Sequence, residues 1–432
     1  MRVRSAMSFL SPLPPQPALL CGLLLVAPAC SAELGDADDM LGGTPIGEPD
    51  GGAGPSLPDF APSHIGAESF ELGTGPLLLD RPGQVIVIDT DGLGIITSDG
   101  APLMADGVAF TVVEQGSGVP EIAVLAAARL EITATTQIEV IGGRALAMAI
   151  AGEVRLAGEI VATGGRGAIA AAGPGGFPGG DGAAPDGSGP GGGAYGGDDP
   201  PGDDTSNDVG GGGGGHGRSG GQGGDRANSL VDGGVAPGGA GGSAYDDEQQ
   251  YLIGGSGGGR GGGLGGVGGG GGGAVQISAA VAIAIDPGSI INVGGGGGRS
   301  NGGDDGGGGG GAGGMIVIEA PVVTIDQGVL AGNGGGGGSG SNVLNPGRDG
   351  ATGLAASEPA GGGLQTGEGM AGGDGGAAGA ADGQPGGDSA GIDGTDDNGG
   401  GGGGGVGRIV VRASSLSQAS AVISPDFERG EP

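Results

Sequence analysis

The sequence has no lysine and no tryptophan, and aromatic residues make up 2% of it. All 15 basic residues are arginine. Without lysine there is no P-loop cation, no Schiff base and no Ser–Lys dyad. The 2 cysteines, Cys21 and Cys30, both lie near the N-terminus. The rest of the chain therefore holds neither a disulfide framework nor a Cys-based metal site. The 2 histidines, His64 and His216, are too few for a multi-His zinc site. Basic residues are outnumbered by 49 acids, giving a formal charge of −34. That balance excludes nucleic acid as a partner and disfavours anionic membrane surfaces. Long apolar runs are missing too, since Ala18 to Val26 is too short to span a bilayer.

What is abundant is glycine, 123 of 432 residues. The glycines come in runs and not in a strict three-residue period, so the chain is not collagen. Most lie beyond residue 163, where a GxGxxG match arises by chance and carries no weight.

The N-terminus reads as an export signal. Arg2 and Arg4 form a positive start, prolines 12, 14, 15 and 17 interrupt any long helix, and the short apolar run follows. Val26-Ala27-Pro28-Ala29-Cys30 resembles a bacterial lipobox, with Ala27 where that motif prefers leucine. Cleavage before Cys30 and lipidation there is the expectation; ordinary cleavage after Ala29 or Ala32 is the alternative. Residues 30–65 are acidic and rich in glycine and proline, the composition of a disordered tether.

Beyond the tether the pattern is β. Val85–Ile88, Val108–Val113 and Ile122–Ala128 are short apolar runs, and Leu130-Glu131-Ile132 and Ile138-Glu139-Val140 alternate. Units then repeat. Val154 to Gly165, Ile283 to Gly294 and Val323 to Gly334 share one cadence of strand, turn, strand and glycine, with Leu130 to Gly143 a looser relative. Upstream of them, Gly273 to Ala279, Gly314 to Ala320 and Gly407 to Ala413 form a second aligned set. The pattern predicts an all-β fold of parallel β-solenoid-like strand repeats, with a β-sandwich as the alternative. The predicted core is Val85, Val87, Val112, Leu130, Ile132, Val154, Leu156, Ile277, Ile285, Ile316, Ile318, Ile325, Ile409 and Val411. Domain boundaries follow composition: signal peptide 1–29, tether 30–65, N-terminal β region 66–167, glycine-rich insertion 168–272, β and glycine units 273–338, a glycine- and aspartate-rich loop 339–398, and a terminal β unit with tail 399–432.

Glycine runs such as 268–273, 306–311 and 399–405 flank the strand units. They are either disordered or packed side by side as polyglycine II, a three-residue-per-turn helix without internal hydrogen bonds.

The stretch Ile122 to Gly165, followed by glycine-run-plus-strand units, resembles glycine-rich surface lipoproteins of myxobacteria that have no established activity. The likeness spans most of residues 80–423. It implies export and a repetitive β architecture. Such chains are sometimes grouped with PE/PGRS proteins on glycine content, but this sequence has no PE domain.

For chemistry the sequence offers little. His216, in Gly-Gly-His-Gly-Arg-Ser-Gly, reads as a solvated turn residue, with a Ser–His–acid role the remote alternative. No catalytic residue stands out, nor any cofactor. Calcium is the one metal worth weighing. Gly220 to Asn228 fits a calcium-roll nonapeptide once, without tandem copies. Asp89, Asp91, Asp225, Asp393, Asp396 and Asp397 are weak hard-cation candidates. Acids among glycines otherwise keep a surface soluble.

The expected function is a non-enzymatic structural or adhesive lipoprotein at the outer membrane or cell surface, with a periplasmic or secreted location as the alternative. Its partners would be the membrane, through the lipid, and extracellular matrix or polysaccharide. A polysaccharide-binding or polysaccharide-degrading solenoid and a calcium-binding surface protein are the competing readings.

Overall fold

The computed structural model describes residues 60–165, 170–197, 208–226, 236–245, 250–303, 305–342, 346–364, 370–389 and 398–430. The described body is all-β apart from a 3-10 turn at Ala67–Glu71, and its strands form three sheets. The first sheet runs, in hydrogen-bonded order, β1 (Pro76–Leu79), β6 (Arg129–Ile132), β9 (Glu153–Leu156), β12 (Ala282–Ile285), β15 (Val322–Asp326) and β18 (Ser415–Ala419). All of its pairs are parallel. The second takes β2 (Val85–Asp89), β7 (Gln137–Ile141), β10 (Glu159–Val161), β13 (Ile290–Asn292), β16 (Val329–Ala331) and β19 (Val422–Ser424), also parallel. The third takes β5 (Ile122–Ala127), β8 (Ala145–Ile150), β11 (Ala274–Ala279), β14 (Met315–Glu319), β17 (Arg408–Arg412) and β20 (Glu428–Gly430) in parallel. Two antiparallel edge strands make the latter sheets mixed: β3 (Gly94–Thr97) on β2, and β4 (Ala109–Val113) on β5.

From β5 onward the chain visits the third, first and second sheets in turn. Equivalent side chains therefore stack. Leu77, Leu130, Val154, Ile283, Val323 and Leu416 are successive partners in the first sheet. Ile86, Ile138, Ile160, Ile291, Leu330 and Ile423 line up in the second. Met148, Ile277, Ile318 and Val411 do so in the third. Most of these residues belong to one buried cluster, with Leu416 and Ile423 packed against it. Each buried aliphatic contributes about 1.5–3 kcal/mol, which is the main force holding the sheets together.

In the first two sheets burial alternates along most strands, matching the alternating sequence. In the third, β5, β8, β11 and β14 are buried on both faces. Their continuous apolar runs fit that position. The outer face of this sheet carries a second cluster, in which Ile65, Phe70 and Leu252 pack against Ile122, Val124, Ala145, Ala147, Met315 and Val317.

Three predicted core residues are corrected. Val85 and Val87 are only half-buried, and Ile86 and Ile88 point inward instead. Val112 is half-buried on the edge strand β4. A run of β-branched residues has no alternation to show which face is inside.

The glycine segments leave the strands at one place in the cycle: between β10 and β11, β13 and β14, and β16 and β17. Each links the second sheet to the third, a step that Gly142-Gly143-Arg144 makes alone between β7 and β8. Their described parts are hydrogen-bonded to one another with a three-residue period. The N–H groups of Gly307, Gly310 and Gly313 donate to the carbonyls of Gly399, Gly402 and Gly405. Those of Gly308, Gly311 and Gly314 donate to Arg299, Gly296 and Val293. Those of Gly306, Gly309 and Ala312 donate to Gly262, Gly259 and Ser256. One segment thus binds three neighbours, one running with it and two against it. Residues 208–216, 305–314 and 398–407 are buried throughout. Parts of 168–272 and 339–398, read from sequence as insertion and loop, belong to this array. Glycine is required by contact here: a Cβ on Gly309, Gly213 or Gly335 would overlap a neighbouring carbonyl oxygen.

Candidate functional site

The residues expected to carry chemistry fall in separate places. Cys30, Asp393, Asp396 and Asp397 lie outside the described residues. The other three aspartates serve the backbone. Asp89 accepts the N–H groups of Asp91 and Gly92 at 3.0 and 2.9 Å, closing the turn after β2. Asp91 accepts from Gly143 at 2.9 Å and pairs with Arg144 at 3.4 Å. Asp225 accepts from Gly238 at 2.9 Å and from the Gln222 side chain at 2.7 Å.

The same capping recurs across the glycine array. Asp388 takes the N–H of Asp225, Asp305 that of Leu264, Asp349 that of Ser300 and Asp374 that of Gly362. Asp181 takes those of Ala183 and Ala184. Hydrogen bonds from Ala184, then Ala183, hold its carboxyl below the ordinary aspartate range. Many acids read from sequence as solubilising are therefore segment caps. Among the described residues, no group of three or more His, Cys, Asp or Glu is placed to hold a metal ion.

His216 is not the solvated turn residue that its sequence context suggests. It is buried at 2% exposure, stacked on Tyr245 at 4.8 Å, and its Nδ1 lies 2.8 Å from the Gly313 carbonyl oxygen. Burial lowers its pKa from 6.5 to about 4; the Gly313 carbonyl opposes the shift and the nearby Arg408 charge adds to it. The folded protein thus resists protonation between those values, whereas the unfolded chain does not. Stability falls as pH drops from 6.5 toward 4, by roughly 3 kcal/mol at most from this group. A His216→Phe variant should show a flatter decline of Tm over that window; an unchanged slope would remove His216 as the cause.

The densest polar cluster sits on the outer face of the third sheet. Gln276 and Ser278 on β11 and Glu319 on β14 point outward where neighbouring strands place Ala147, Ala149 and Val317. All three are fully buried. Residues 60–72 cover them, including His64, which the sequence places in the tether. Glu319 accepts hydrogen bonds from Gln276 at 3.0 Å, from Ser278 at 2.8 Å, and from the backbone N–H and hydroxyl of Ser63. His64 Nδ1 meets the Gln276 side-chain oxygen at 2.7 Å. A buried carboxylate is costly unless so satisfied. Polar residues at outward positions of an otherwise apolar strand are the sequence signal for this cluster.

A cavity of about 150 Å³ opens beside it, with Met315, Val317 and Val410 as apolar wall and His64 and Arg412 as polar wall. Arg412 lies 3.8 Å from Glu319. A second cleft, of about 300 Å³, is lined by Arg218, Val406, Arg408, Ile409 and Asp426. Glu428 borders both and pairs with Arg408 at 2.9 Å.

No family model, curated protein or solved structure matches the chain. No helix among the described residues is long and apolar enough to cross a membrane.

Proposed function

We propose that this is an exported, lipid-anchored surface protein with a structural or adhesive role, and that its body is a parallel β-solenoid carrying a polyglycine II bundle at one corner. The cyclic visiting of three sheets supports the solenoid. The period-three hydrogen bonding supports the polyglycine helices.

The observation that carries the functional reading is the glycine array itself. The described parts of three long excursions of the chain are committed to main chain packed on main chain. Such an array has few side chains with which to do chemistry, and it stiffens a large body. A stiff body anchored through an acidic N-terminal segment suits repeated weak contacts with matrix or neighbouring cells. The resemblance to myxobacterial surface lipoproteins agrees with that placement. Cys30 is the anchoring residue in this reading.

Two measurements test it. Wild type should enter the detergent phase and Cys30→Ala should remain aqueous; equal partitioning would end the lipoprotein assignment. A deletion strain should lose cell–cell or surface adhesion. Full adhesion, together with hydrolysis of a polysaccharide by the purified protein, would replace the structural reading with an enzymatic one.

A further inference from the structure

The last strands concentrate positive charge on a chain whose net charge is −34. Arg408 and Arg412 lie on β17 and Arg429 on β20, lining the two cavities that share Glu428, and Arg218 lines the larger one. Arg408 is engaged with Glu428 and with the Tyr245 carbonyl. The others are differently placed. Arg218 and Arg429 make no side-chain hydrogen bond to a described residue, and Arg412 has only the 3.8 Å ion pair with Glu319. Glu319 is already satisfied by Ser63, Gln276 and Ser278.

We infer that this double cleft binds an acidic polysaccharide, a chain of uronate-type sugars with a carboxylate on each unit. The inference deepens the adhesive reading by naming the ligand class, and it rests on that reading for where the ligand is met. Three features point to it. Guanidinium groups with unused donors match carboxylates, which they bind through charge-assisted and often bidentate hydrogen bonds. Ala378, Ala381 and Pro425, which line the larger cavity and keep exposed surface, offer apolar contact to the C–H faces of sugar rings, while Met315, Val317 and Ile409 lie buried behind. Two cavities side by side suit consecutive units of a polymer better than one compact molecule, since each is at or below the small end of ordinary ligand pockets. Two acids line the clefts, but Glu428 is paired with Arg408, and Asp426 is outnumbered by Arg218, Arg412 and Arg429. At physiological ionic strength the screening length is about 8 Å, so a bound ligand is governed by the charges in the cleft. Nucleic acid is the weaker fit, because the cleft lacks the aromatic platforms on which bases stack.

The test uses the purified full chain in detergent and oligogalacturonate as probe. Its methyl ester is the neutral isostere, and a short single-stranded DNA is the alternative polyanion. Binding to the acid form is expected, weakening with added salt, and weaker by about tenfold or more for the ester. Arg429→Gln, at an exposed edge, should weaken binding by about tenfold, and adding Arg412→Gln should weaken it further. Arg81→Gln, in the turn between β1 and β2, should leave binding unchanged. Melting curves confirm that each variant is folded. No binding of the acid form, equal binding of acid and ester, unchanged affinity in folded Arg429→Gln, or equally tight DNA binding would each overturn the inference. Loss of this binding with adhesion intact would leave the structural role standing.

Discussion

Gly309→Ala is expected to cost on the order of 4 kcal/mol or more, although it adds one methyl group to a residue with no side-chain function. The N–H of Gly309 donates to Gly259 and its carbonyl accepts from Gly269. The Cβ would point at the carbonyl of Gly212, which belongs to a backbone that cannot swing aside. To admit it, residues 306–314 must move away from 208–214. The bonds from Gly211 to Gly307 and from Gly214 to Gly310 then stretch or break. Gly361→Ala is the matched control. Gly361 is exposed, and no heavy atom lies within 4 Å of where its Cβ would sit. That change should be neutral or stabilise by about 0.4–1 kcal/mol, through a less flexible unfolded chain. Thermal melts and hydrogen exchange at Gly211, Gly214 and Gly307 read the difference. If Gly309→Ala melts with wild type and keeps its protection, close backbone packing is not what orders the array.

Magnitudes explain why such an array is all-or-none. Ordering a backbone costs about 1–2 kcal/mol per residue, and glycine is at the expensive end. A net hydrogen bond returns about 0.5–1.5 kcal/mol. A single glycine segment bonded on one side therefore does not hold. Segment 306–314 has donors directed to three neighbours and receives bonds from others, and only that shared saturation offsets the entropy. The aspartate caps at the segment ends follow from the same need, because terminal N–H groups have no next glycine to meet.

The sequence was informative where side chains alternate and uninformative where they are absent. The aligned copies Gly273 to Ala279, Gly314 to Ala320 and Gly407 to Ala413 contain the strands β11, β14 and β17, which lie side by side with Val275, Ile316 and Ile409 in register. Inward residues such as Leu130, Leu156 and Ile325 were legible for the same reason. Val85–Ile88 was not, since every residue in it suits either face. In the glycine runs, no side chain marks which segment meets which, so the partnership of 307–313 with 399–405 is invisible before folding. The clamp at Glu319 was missed because Ser63 and His64 sit in a stretch whose composition reads as tether, while their partners lie more than two hundred residues away. The burial of His216 was hidden in the same way: its neighbours are glycines in sequence, but Tyr245 and Gly313 in space.

Ile318→Asp should abolish cooperative folding of the β body. Ile318 is fully buried on the inner face of β14, with Ile277 of β11 and Val411 of β17 beside it in register. An aspartate there loses the transfer energy of the isoleucine, about 2 kcal/mol. It also buries a carboxylate among aliphatic neighbours, where no hydrogen-bond donor side chain belongs to the surrounding cluster. Burying an unpaired charge is among the few single changes that exceed 4–5 kcal/mol. That is comparable to the whole stability of many domains. Ile318→Val, which removes one methylene and keeps the β-branched shape, should cost only about 0.5–1.5 kcal/mol. The contrast separates burial from position. Glu319, the next residue, already carries a carboxylate at 0% exposure, but on the outer face, where Ser63, Gln276 and Ser278 donate to it. Soluble yield and far-ultraviolet circular dichroism melts of the two Ile318 variants provide the measurement. An aspartate variant that melts like the valine variant would mean that residue 318 faces solvent and that the register of the third sheet is shifted by one residue.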